Sequence, residues 1–81
     1  MNETTNFGKN LKAIREFLDM SQTDAANKAG LTTPAICKYE KGLREPQLSS
    51  IIKILKVLNV SFERMVKPLV EDKVKELDES L

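Results

Sequence analysis

The stretch SQTDAANKAGLTTPAICKYEKG, Ser21 to Gly42, constrains this chain more than any other. Ser21 followed three residues later by Asp24 has the form of a capping box, in which side chain and backbone at a helix head satisfy each other's hydrogen bonds, so a helix starts there. Ala25, Ala26 and Ala29 give that helix a small apolar face on which a neighbouring helix can approach closely. Gly30 takes the left-handed conformation that ends a helix at little cost. Leu31 then turns into the core and Thr32 or Thr33 caps a second helix. Pro34 is tolerated in its first turn, where its missing N–H has no partner to lose. This second helix runs to Lys41 and Gly42 ends it. Two short helices joined by a tight, glycine-containing turn make a helix-turn-helix unit.

The flanking sequence adds helices on both sides. Upstream, Phe7, Leu11, Ile14 and Leu18 recur at i, i+4, i+7 and i+11, which predicts an amphipathic helix starting near Thr5 or Asn6, with Met20 bridging into the central motif. Downstream, Pro46 suits the first turn of a further helix. From Leu48 its apolar positions (Ile51, Ile52, Ile54, Leu55, Val57, Leu58) cover more than one face, which predicts a helix central to the core with Lys53 and Lys56 in solvent. Asn59 is a left-handed stop, and Ser61 caps a short helix carrying Phe62, Met65 and Val66. Pro68 disfavours a helical Lys67 and predicts a break there. Beyond it Val70, Val74, Leu77 and Leu81 form a second helical stripe among charged neighbours. The expectation is an all-α chain: a five-helix domain over residues 1–67 and a helical extension over 68–81.

Composition bounds what such a chain can do. Eighty-one residues make one small domain, near the lower limit for a self-sufficient core. A single cysteine, Cys37, excludes an internal disulfide framework, and without histidine a four-ligand zinc site is not expected. No run reaches a membrane span and no signal peptide opens the chain, so a cytoplasmic protein is expected. The net charge is only +1, but it is unevenly spread: residues 1–67 hold eleven Lys/Arg against seven Asp/Glu, and residues 68–81 hold two against five. The compact part is basic and the tail acidic. No nucleophile–base pair, metal cluster or phosphate loop is apparent, so no enzyme and no cofactor is expected.

Gln22, Ala26, Gly30, Leu31, Thr32-Thr33, Ile36, Glu40 and Gly42, flanked by Leu11 to Arg15 and Leu18 and by Pro46 to Leu48 and Ile51 to Ser61, resemble the DNA-binding domain of phage lambda repressor and Cro-like regulators over roughly residues 6 to 66. The resemblance implies a lambda repressor-like fold and double-stranded DNA as partner, with the second motif helix as recognition helix in the major groove. Mapped onto it, Thr33, Pro34, Cys37 and Lys38 face the bases. Lys38 would reach guanine O6 and N7, and Thr33 would offer a hydroxyl and a methyl. Proline at position 34 departs from the many relatives with a hydrogen-bonding side chain there. It also shifts the cap towards Thr33, which would occupy that hydroxyl.

Phosphate contacts are implied for Gln22 at a helix N-terminus, for Lys41 and Arg44 after the recognition helix, and for Asn6, Lys9 and Asn10 on the first helix. Arg15 and Glu40 hold the places of an internal ion pair, and Tyr39 is expected at the core edge with its hydroxyl exposed. Cys37 lacks a cationic context that would make it reactive. Phe62 and Arg64 map to where such domains meet across a two-fold axis, and Val70, Val74, Leu77 and Leu81 would pack on a partner, in the same dimer or another protein, or back on their own domain, the partner being the favoured reading. The expected function is a sequence-specific regulator, a homodimeric repressor on a palindromic or pseudo-palindromic operator. The alternative is an antitoxin or adaptor whose main partner is a protein bound through the C-terminal helix.

Overall fold

A computed structural model of the chain describes residues 3–68, with side chains described from Asn6 onward. The extension stripe Val70, Val74, Leu77 and Leu81 lies outside the described residues. Five helices follow one another: α1 (Glu3–Phe17), α2 (Gln22–Ala29), α3 (Thr33–Lys41), α4 (Leu48–Leu58) and α5 (Phe62–Val66). No strand occurs among the described residues. Helix α3 packs on α1 and α2, α5 closes on α1, and α4 lies against α2.

Local chemistry sets most of the boundaries. At the head of α2 the Ser21 hydroxyl accepts the Asp24 N–H at 2.9 Å, while the Asp24 carboxylate accepts the Ser21 N–H at 3.1 Å, completing the capping box. Gly30 and Gly42 end α2 and α3 in the left-handed region, with φ of 69° and 73°. Asn59 does the same for α4, and the Ser61 hydroxyl caps α5 by accepting the Arg64 N–H. Lys67 is extended, as a residue before proline should be.

Three boundaries depart from the sequence expectation, and one that it left open is decided. Helix α1 begins at Glu3, earlier than Thr5 or Asn6, and ends at Phe17, so Leu18 falls in the turn and is exposed. Asp19 makes that turn at φ 61°, a conformation its short polar side chain tolerates. Thr32, not Thr33, caps α3: its hydroxyl accepts the Ala35 N–H at 3.2 Å, leaving Thr33 and Pro34 as the first two helical residues. Pro46 stays in the loop, because α4 starts at Leu48.

The core gathers Phe7 and Leu11 of α1, Ala26 of α2, Ile36 and Tyr39 of α3, Ile54 and Leu58 of α4, and Met65 of α5. Ile14, Met20, Leu31, Ile51 and Leu55 pack around its edge. Tyr39 is fully inside rather than at the rim, 4 % exposed. Helix α4 is not central. Its Ile54–Leu58 side is buried, whereas Leu48 is 71 % and Ile52 44 % exposed, so part of its excess apolar surface faces solvent.

Candidate nucleic-acid interface

Helix α3 is anchored by one side. Ala35, Ile36 and Tyr39 are buried, which turns Pro34, Lys38 and Lys41, spaced i, i+4 and i+7, outward as an exposed ridge. Thr33 and Cys37 flank the ridge, half-buried. The four base-facing candidates therefore share one side of one helix, and Lys41 extends it towards Arg44, which is also exposed. Thr33 keeps its hydroxyl free of capping duty, but that hydroxyl meets the Thr23 hydroxyl of α2 at 3.4 Å. Thr23 is exposed beside this face and had no sequence signal, since the pairing exists only once α2 and α3 cross.

A charged brace behind the ridge ties α1, α2 and α3 together. Arg15 Nε donates to Glu40 Oε2 at 2.7 Å and Nη2 donates to Oε1 at 3.2 Å, a two-pronged pair with side chains only 9 % and 3 % exposed. Arg15 Nη1 donates to the Met20 carbonyl at 2.6 Å, so the same side chain closes the α1–α2 turn. The hydrogen bond to Glu40 holds the guanidinium pKa above its ordinary value against the opposing effect of burial, and the charges of Glu40 and Glu16 add to it. Gln22 Nε2 joins the brace by donating to Glu40 Oε1 at 3.0 Å. Gln22 thus holds Glu40 from α2 with one of its two amide hydrogens.

Asn6 and Asn10 must be removed from the phosphate set. Both are buried, Asn10 with no accessible surface at all. Asn6 Nδ2 donates to the Val66 carbonyl at 3.2 Å. Asn10 Nδ2 donates to the carbonyls of Met65 and Lys67 at 2.8 and 2.7 Å. Their task is to satisfy the carbonyls left unpaired at the C-terminal end of α5, which a helix of five residues cannot satisfy internally. Lys9, on the same helix, is exposed. Phe62 is half-exposed and Arg64 exposed on α5. Among the described residues no group of three or more Cys, Asp or Glu is placed to hold a metal, and no helix is long and apolar enough to cross a membrane.

With this geometry in hand, similarity to known proteins becomes informative. A family model described as Helix-turn-helix, HTH_3, matches residues 11–65. The chain belongs to that family. YqaE of Bacillus subtilis (strain 168), named an uncharacterized HTH-type transcriptional regulator, is 38 % identical over 68 residues, covering 84 % of this chain and 59 % of YqaE. The chain spans from about a third to three-fifths of the length of the curated relatives it matches. Among solved structures, the restriction-modification controller protein C.AhdI from Aeromonas hydrophila superposes with a TM-score of 0.73 at 26 % identity, covering 76 % of this chain and 94 % of that one. The P22 c2 repressor, solved in complex with a synthetic operator, superposes at 0.71 with 24 % identity, over 75 % of this chain and 92 % of its own. The HTH_3 fold here is lambda repressor-like, all-helical, with the brace and the α3 ridge in the matched region.

Proposed function

We propose that this HTH_3 chain is a sequence-specific regulator of transcription that binds double-stranded DNA, with α3 as its recognition helix. The observation that carries the reading is the exposed Pro34–Lys38–Lys41 ridge on a helix whose opposite side is locked into the core and braced by Arg15, Glu40 and Gln22. A base reader needs such a support, because contacts to base edges depend on a helix held rigidly in the groove. Lys38 reads guanine, Thr33 and Cys37 line the sides, and Pro34 offers apolar contact to a thymine methyl. Lys41, Arg44, Lys9 and Gln22 grip phosphates, which position the domain without reading sequence. The names of YqaE and of the controller protein C.AhdI support the same class of function.

One domain of this size covers too little DNA for high specificity, so the protein works as a homodimer on two half-sites about one helical turn apart. The second copy meets this one through Phe62 and Arg64 of α5, with Phe62 a large apolar side chain left half-exposed. Bound to its operator in the cytoplasm, the dimer represses by excluding polymerase.

Selection of bound sequences from a random DNA pool, with the protein and its Lys38→Ala variant, tests the reading. A two-fold symmetric site should be enriched, and the variant should lose preference at one symmetric pair of positions, where a good side-chain–base contact is worth about 1–3 kcal/mol. If folded protein enriches no sequence, DNA is not its target and a protein partner takes its place.

A further inference from the structure

We propose that the hydroxyls of Thr23 and Thr33 hold one phosphate oxygen of the DNA backbone between them. Thr23 is then a DNA contact in its own right, and Thr33 grips the backbone instead of reading a base. The proposal deepens the DNA-binding reading above and rests on it. The two hydroxyl oxygens stand 3.4 Å apart, one on α2 and one on α3. A good O–H···O bond measures about 2.5–3.0 Å, so neither hydroxyl is fully engaged by the other. The same separation leaves room for an acceptor oxygen about 2.7 Å from both at once. Neither hydroxyl is spent on its own helix. Ser21 caps α2 and Thr32 caps α3, which leaves Thr23 exposed and Thr33 half-buried at the surface.

The place of the pair selects its ligand. In helix-turn-helix docking the second motif helix enters the major groove by its N-terminal end, and the first crosses the backbone. Thr33 opens α3 and Thr23 lies in the first turn of α2, so the pair joins the two helices where groove gives way to backbone. Threonine hydroxyls are among the side chains that take phosphates. A hydrogen bond to a charged oxygen is also shorter and stronger than one to a neutral base carbonyl.

The neighbouring groups fit this assignment. Gln22 gives an amide hydrogen to Glu40 behind the ridge at 3.0 Å. Asp24, whose charge would repel a phosphate, is drawn back onto the Ser21 N–H at 3.1 Å. Discrimination between bases then falls to Pro34, Cys37 and Lys38.

The test uses the full chain with its selected DNA site and with a random duplex of equal length, binding being read by fluorescence anisotropy. Thr23→Val and Thr33→Val each remove a hydroxyl and keep the shape of the side chain. Each should weaken binding to both duplexes about tenfold, as for a lost hydrogen bond to a charged group. Base preference and the slope of affinity against salt should stay as in the unaltered protein, since no cation is removed. Thr23→Ser should recover the affinity that Thr23→Val loses. A methylphosphonate, in which a methyl group replaces the charged oxygen, is then placed at each position of the site in turn. One position per half-site should weaken the unaltered protein but add nothing to the loss in either valine variant. Undiminished binding by Thr23→Val would overturn the proposal. So would a changed base preference in Thr33→Val, because that hydroxyl would then read a base. If the unaltered protein binds no DNA, the reading beneath the proposal falls with it, and that protein alone reveals this failure. Far-UV circular dichroism checks each fold, and alanine replaces valine at a position where the valine variant unfolds.

Discussion

At Gly8 the backbone of α1 runs so close to the Tyr39 carbonyl of α3 that a methyl group would overlap it. Glycine inside a helix ordinarily costs up to about 1 kcal/mol relative to alanine, so Gly→Ala at an exposed helical site stabilises. Here the sign reverses. Gly8→Ala should destabilise by about 1–3 kcal/mol, the usual cost of overpacking, because its obstacle is backbone and not a side chain that can swing away. Chemical denaturation of the variant checks this, and a gain in stability would mean that α1 and α3 are further apart. Gly8 is invisible to pattern reading because it marks neither a turn nor a cap. Asn6 and Asn10 failed as phosphate ligands for the same kind of reason. A polar side chain next to an apolar stripe reads as solvent-facing until a neighbouring helix end claims it.

The elements themselves were legible wherever their ends are written in the next three or four residues. Ser21, Gly30, Gly42, Asn59 and Ser61 all act as their residue types require. The head of α2 yields a pH prediction. Asp24 has its pKa lowered, first by the backbone N–H of Ser21, then by the Ser21 hydroxyl, with a smaller contribution from Lys28. A carboxyl whose folded pKa lies below its unfolded value stabilises fully above the unfolded value, near 3.8, and loses that contribution as pH falls through the folded one. Asp24→Ala should therefore lower the melting temperature at pH 7 and make progressively less difference below about pH 4. Ser21→Ala removes the other half of the box and should cost about 1 kcal/mol. Thermal melts at pH 7 and pH 3 read both effects. Where two caps compete, as with Thr32 and Thr33, residue types alone left the choice open. Proline at the second helical position is accommodated with Thr32 as cap, so Thr33 keeps its place on the α3 face.

At the scale of the whole molecule one buried network ties α3 to α1 and α2 in addition to the core packing of Ile36 and Tyr39. Breaking a buried ion pair from one side leaves the other charge without a partner, which costs about 3–5 kcal/mol. Glu40→Ala should incur a loss of that order, since it strands Arg15 and also deprives Gln22 of its acceptor. Replacing the pair together, Arg15→Met with Glu40→Leu, should recover much of the stability. Denaturant titrations of the three proteins measure the coupling, and equal losses in single and double variants would show that the pair is not what holds the helices. Specific DNA binding should weaken in the double variant even where stability returns, because apolar packing lacks the directional constraint of a two-pronged pair.

Much of this protein follows from its sequence alone. The helices of residues 3–66 and most of their ends are written in short-range patterns, whereas the Arg15–Glu40 pairing, 25 residues apart, and the outward place of α3 were implied by the family resemblance. Caps act within one turn and apolar stripes repeat every three to four residues, so both survive in one dimension. Tertiary structure decided the rest. It drew Asn6 and Asn10 inside, sank Tyr39, gave Gln22 a carboxylate to hold and left Leu48 and Ile52 of α4 uncovered. It also brought Gly8 against α3 and set Asn10 between the carbonyls of Met65 and Lys67. Each of these outcomes depends on how close one helix comes to another. That distance is set by all the side chains packed between them at once, and no local run of residues contains it.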